Sequence, residues 1–215
     1  MFTRIGDSLD SAREIATAVI TELTRTGETV ATCESLTAGL VAATLADVSG
    51  ASAVLRGGLI TYATELKAEL AGVPTAALAV QGPVHPETAR SMAEGAAACC
   101  GAHWGVSCTG VAGPDPQNGH AVGEVYFGFA YYDTVTTARK SAVTAAPGVR
   151  PQPRSWVFQG IMDEAGIPTL YEVGCDTLIP SGEVVQGSRR EIRETTVLLA
   201  IQGLQYLHQL QTQRS

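Results

Sequence analysis

Residues 28–67, ETVATCESLTAGLVAATLADVSGASAVLRGGLITYATELK, decide the fold. Glu28-Thr29-Val30-Ala31-Thr32-Cys33 has the β-branched content of a strand, and residues 35–47 follow at once as a helix of small side chains. A strand that runs through a hydroxyl-rich turn into a helix sets Ser35, Thr37 and unpaired backbone N–H groups at a helix N-terminus. That arrangement suits a phosphate, and it equally suits ordinary helix capping by Ser and Thr. Residues 47–67 then read as loop, short helix, turn and strand, with Gly57-Gly58 giving backbone freedom before Leu59-Ile60-Thr61-Tyr62. Small neighbours surround one hydroxyl, Ser52, and Tyr62 and Lys67 follow closely. A serine is a poor nucleophile until a base takes its proton, and a lysine whose pKa is lowered by burial can be that base. Ser52, Lys67 and Tyr62 therefore form a candidate catalytic set, although a capping serine, a surface lysine and a half-buried tyrosine would read the same way.

Working outward, residues 8–26 place Leu9, Ala12, Ile15, Ala16, Val19, Ile20 and Leu23 at helical spacing. Residues 63–70 can form a helix, 71–84 read as connection broken by Pro74, Gly82 and Pro83, and 86–101 read as a helix that His85 and Glu87 help to cap. A buried strand at 104–108 opens into the glycine-rich loop Thr109-Gly110-Val111-Ala112-Gly113-Pro114-Asp115. Ligands of open α/β sheets gather at the carboxyl ends of strands, so loops 33–37 and 108–115 are expected to face one cleft. Residues 116–121 read as a turn, 122–133 as a central strand, and 136–144 as a second strand paired with it. Prolines then punctuate residues 145–186, expected to be an inserted excursion with a helical piece at 156–165 and a strand at 169–173, before a final helix over 187–209. The expectation is one α/β domain over residues 1–215.

The chain carries 14 Lys+Arg against 21 Asp+Glu, a net charge of −7 that opposes nonspecific attachment to nucleic acid or an anionic membrane. No apolar run approaches the roughly 20 residues of a membrane span, and the first residues lack the apolar core of a signal peptide, so a cytoplasmic location is expected. The odd count of five cysteines points to reduced thiols, and the adjacent Cys99-Cys100 has no CxxC spacing. His85, His103, His120 and His208 are scattered without ligand spacing, so neither metal nor cofactor is expected.

Taken in series, ESLTAGL, SGASAVLRGGLITYATELKAELAGV, PETARSMAEGA, CTGVAGPD and VGEVYFGFA resemble the CinA C-terminal domain family, over residues 8–144 and again from Gly187. The resemblance implies a three-layer α/β/α fold with a mixed sheet of about five strands, like anticodon-binding domains, plus an insertion before the last helix. It implies hydrolysis of the carboxamide of nicotinamide mononucleotide to nicotinic acid mononucleotide and ammonia, in pyridine nucleotide salvage. It further implies Ser52 as nucleophile, Lys67 as general base and Tyr62 as an assisting group, with Ser35 and Arg189 contacting the substrate; Thr37, Thr109 and loop N–H groups such as that of Gly110 are the candidate substrate-binding donors for the oxyanion. The partners expected are a small-molecule nucleotide and a second copy of the chain, with no nucleic acid and no membrane. Leu36, Ala38 and Ser188 depart from the family pattern, in which ESCTGG and GDR are usual. The alternative is a catalytically inactive nucleotide-binding or protein-interaction module of the same fold.

Overall fold

Strand β1 (Val30–Glu34) is the axis of the molecule, with all five of its residues buried. The computed structural model describes residues 8–133, 152–173 and 183–213. Parallel neighbours flank β1 on both sides: β2 (Leu55–Ile60) and β3 (Trp104–Gly110). Beyond β3 the sheet turns antiparallel through β4 (Val125–Tyr131), β5 (Arg154–Met162) and β6 (Pro168–Glu172), and the two-residue β7 (Glu183–Val184) pairs with β5. The order is β2-β1-β3-β4-β5-β6. This is a mixed sheet, larger than the five strands expected because three of its strands fall within residues 145–186.

Helices cover both faces. On one side α1 (Ser8–Thr26), α2 (Leu40–Ala46) and α6 (Arg189–Thr212) pack on each other and on the sheet. The predicted apolar spacing of α1 holds, with Ala12, Ala16, Val19, Ile20 and Leu23 buried. On the other side α5 (Pro86–Cys100) lies across β1 to β5. It can approach so closely because Gly105 and Gly128 lack side chains: a Cβ at either position would run into the Ala93 or Ala89 carbonyl oxygen. Ser107 Oγ donates to that Ala89 oxygen at 2.6 Å, locking helix to strand. His85 caps α5, accepting from the Glu87 N–H through its side chain. Short helices α3 (Thr64–Glu69) and α4 (Thr75–Gln81) complete the connection from β2 to α5.

Three expectations need correction. Residues 71–84 contain α4, which buries none of its side chains and so showed no core-facing period. The helical piece expected at 156–165 is instead in β5, whose Val157 to Met162 are all buried between β4 on one edge and β6 and β7 on the other. β4 pairs with β5, and the strand expected at 136–144 lies outside the described residues.

Candidate active site

The carboxyl ends of β1, β2 and β3 meet at one edge of the sheet. Ser35 continues β1 and donates its N–H to the Cys108 carbonyl of β3 at 3.0 Å, while Thr61 continues β2 and donates to the Glu34 carbonyl at 2.9 Å. Ser35 is thus held between the two neighbouring strand ends. Into the gap from α3 comes Lys67, 1% exposed. Its Nζ donates to Ser35 Oγ at 3.1 Å and to the Thr61 carbonyl at 2.7 Å.

Burial holds the Lys67 ammonium below the usual lysine range, against a weaker opposing pull from Cys33, Cys108 and Glu65. No carboxylate among the described residues forms an ion pair with it. The two nearby thiols are themselves neutral at pH 7. Burial pushes Cys33 up to about 12, and it pushes Cys108 higher still. The result is a desolvated amine aimed at a serine hydroxyl.

The cleft above this pair has a cavity volume of about 110 Å³ and is continuous with solvent. Ser35, Tyr62, Lys67, Thr109, Gly110 and Arg189 all line it. Thr109 Oγ1 donates to the Pro83 carbonyl at 2.7 Å and forms wall rather than a free donor. Tyr62 is 55% exposed at the rim, where its hydroxyl accepts from Arg189 Nη2 at 2.8 Å. Arg189 also donates through Nη1 to the Gly113 carbonyl at 2.6 Å. The Ser188 side chain and Glu191 form a capping box that starts α6 at Arg189 and so aims that guanidinium across the cleft.

Two expected site residues sit elsewhere. Ser52 lies in a short 3-10 turn (Ala51–Ala53) before β2, whereas Lys67 follows that strand. The six residues of β2 span roughly 20 Å and run parallel to β1, with Val54 bonded to Val30 at the far end. Closeness in sequence therefore became separation across the sheet, and the hydroxyl that meets Lys67 is that of Ser35. Thr37 is fully buried, and its Oγ1 donates to Glu34 Oε2 at 2.7 Å instead of facing the cleft.

The free N–H groups expected at the start of α2 are also taken. Glu34 accepts from the N–H groups of Gly39, Val41 and Ala42 at 2.9, 3.0 and 2.9 Å, so no anion site is left there. By contrast, the N–H groups of Leu36 and Thr37, directly after Ser35, have no protein acceptor among the described residues. Sequence reading passed over Glu34, Arg193, Asp115 and Gln117. Asp115 and Gln117 line the cleft, and Arg193 donates to the Leu36 and Thr37 carbonyls at 2.9 Å each. The available signal was position: Glu34 immediately precedes Ser35, and Asp115 ends the glycine-rich loop.

Among solved structures, a competence/damage inducible protein from Agrobacterium tumefaciens superposes with a TM-score of 0.66 at 28% identity, covering 96% of this chain and 98% of its own. A CinA superfamily protein from Klebsiella pneumoniae gives 0.67 at 20% identity over 92% and 97%, a likeness of fold. In sequence, a CinA-like protein of Frankia casuarinae is 43% identical over 142 residues, 66% of this chain and 32% of the relative. A protein from Streptococcus pneumoniae named as competence-damage inducible is 47% identical over 116 residues, 54% and 28%. The chain thus spans about a third of the length of these two relatives. No described helix is long and apolar enough to cross a membrane. The sequence profile of the CinA C-terminal domain matches residues 12–156, and the chain belongs to that family.

Proposed function

We propose that this protein is an amidohydrolase that converts nicotinamide mononucleotide to nicotinic acid mononucleotide and ammonia, with Ser35 as nucleophile and Lys67 as general base. The supporting observation is the 3.1 Å contact between Lys67 Nζ and Ser35 Oγ at the floor of the cleft, where burial favours the neutral amine. Ser35 Oγ attacks the carboxamide carbon while its proton passes to Lys67 Nζ. The carbonyl oxygen becomes an oxyanion, for which the Leu36 and Thr37 N–H groups are the nearest uncommitted donors in the chain sense. Collapse breaks the C–N bond, Lys67 returns the proton to the departing ammonia, and Ser35 is left as an acyl ester. Water then attacks that ester, again giving its proton to Lys67, and the acid leaves as Ser35 is regenerated.

Arg189 spends two of its five N–H donors on Gly113 and Tyr62, which leaves the others for a substrate phosphate at the rim. Tyr62 holds that arginine and offers a ring face to a planar base. The specific amide is carried by the family resemblance, and the nucleophile by geometry. The test is release of ammonia from nicotinamide mononucleotide by the purified protein, with the acid product identified. Turnover that persists in Ser35→Ala would sink the mechanism, and absence of any turnover would sink the substrate.

A further inference from the structure

We infer that Glu34 is a positioning residue for Ser35, acting by holding the loop that presents the nucleophile and not by contact with the substrate. This rests on the assignment of Ser35 proposed above. Glu34 is 1% exposed, and its carboxylate forms no ion pair with a described residue. It is balanced by five hydrogen bonds. Oε1 accepts from Thr32 Oγ1 at 3.1 Å and from the Ala42 N–H at 2.9 Å. Oε2 accepts from Thr37 Oγ1 at 2.7 Å, the Gly39 N–H at 2.9 Å and the Val41 N–H at 3.0 Å.

These partners bracket the turn 35–39 on both sides. One carboxylate thereby ties the strand before Ser35 to the helix after it, and Arg193 grips the Leu36 and Thr37 carbonyls from α6. A buried charge without a counter-ion is costly, and a loop with no catalytic duty would be held as well by neutral caps. Here the expensive group sits one residue from the serine, at a turn whose geometry includes Ala38 at φ 53° and Gly39 at φ 97°.

Glu34→Gln discriminates. An amide has one acceptor oxygen, so either the three donors now on Oε2 or the two on Oε1 would face an NH₂ group. The probe is an alkyl fluorophosphonate, which Ser35 Oγ attacks at phosphorus with loss of fluoride as the hydroxyl proton passes to Lys67; it reads the nucleophile without reference to the natural substrate. In Glu34→Gln, labelling of Ser35 is expected to slow about 100-fold, the usual effect of an ångström-scale misplacement, with the pH of half-maximal labelling unchanged. In turnover, kcat falls by a similar factor while KM stays within about threefold. Thr37→Val removes one of the five bonds in a nearly isosteric way and is expected to slow labelling about tenfold, with folding intact. Labelling at the wild-type rate in folded Glu34→Gln overturns the inference, as does wild-type labelling in Thr37→Val should the first variant not fold. Wild-type protein that labels at Ser35 but leaves nicotinamide mononucleotide untouched removes the substrate proposal alone, and the ratio of labelling rates still decides the role of Glu34. Wild-type protein that hydrolyses the nucleotide without labelling at Ser35 overturns the inference together with the nucleophile.

Discussion

Lys67 reaches Ser35 across 3.1 Å from a helix 32 positions further along the chain, while Ser52, much nearer in sequence, is held at the other end of β2. The two serines therefore separate cleanly by mutation. Ser35→Ala is expected to lower the rate of ammonia release by at least about 10³-fold, the scale seen when a nucleophile is removed. Ser52→Ala, at an exposed position in a 3-10 turn, is expected to leave the rate within about twofold. The reverse pattern would return the chemistry to Ser52.

Burial of Lys67 makes two pH dependences. Its folded-state pKa lies below the unfolded value of about 10.4, so kcat/KM should rise as the amine deprotonates and level off before that value. In the window between the folded and unfolded pKa values the unfolded chain binds more protons, so stability rises with pH there. The penalty for burying Lys67 is complete below its folded pKa and relieved as pH climbs. Lys67→Met should thus be inactive, and its stability relative to wild type should be most favourable at low pH and decline towards pH 10. Denaturant titrations at several pH values measure this, and a constant difference would contradict it.

Ala38 occupies the left-handed region at φ 53° on an exposed turn. A non-glycine residue there costs about 1–2 kcal/mol, which the smaller entropy of the unfolded alanine chain only partly offsets, by about 0.4–1 kcal/mol. Ala38→Gly is expected to stabilise the fold by up to about 1 kcal/mol. Chemical denaturation with an unchanged m-value is the check, and a loss of stability would show that the turn is not strained.

The parts of this fold that declared themselves in sequence are those with one buried face. α1 and the core side of α6 repeat apolar residues at helical spacing, and that spacing is what burial selects. β5 differs from the expected helical piece because a strand buried on both faces, VFQGIM, shows no apolar–polar alternation, and periodicity cannot tell such a segment from a helix. α4 was missed for the opposite reason, having no buried side chain at all. The cleft itself was legible, since Ser35, Thr109, Gly110 and Arg189 all line it. Ser52, by contrast, does not meet Lys67, because nearness in sequence becomes separation in space across an extended strand. Thr37 and Glu34 were hidden by a further ambiguity: a hydroxyl at a helix start reads alike whether it meets a ligand or a neighbouring carboxylate.

Gly110 illustrates a site residue whose role is steric. A Cβ there would collide with the Glu124 carbonyl oxygen and come within 2.8 Å of Val125 Cα, both backbone atoms that cannot swing aside. Gly110→Ala is expected to destabilise the protein by about 1–3 kcal/mol and to distort the wall that carries Thr109. Thermal unfolding shows the first effect. A variant as stable as wild type would mean that β3 and β4 can part at this end without loss.

Arg189 separates binding from chemistry. Its guanidinium lies at the rim beside Tyr62, and three of its five N–H donors have no partner among the described residues. Arg189→Ala should therefore raise KM for nicotinamide mononucleotide about 10- to 100-fold, the worth of one or two charge-assisted hydrogen bonds, with a smaller change in kcat. The corresponding nucleoside, which has no phosphate, should be hydrolysed equally poorly by wild type and variant. Tyr62→Phe removes the acceptor that steadies Arg189 and should reproduce a fraction of the KM effect, because the Gly113 carbonyl still holds the other arm. Steady-state kinetics on the nucleotide and nucleoside pair decide the point: an equal loss on both substrates would place Arg189 in the chemistry of the amide and not in recognition of the phosphate.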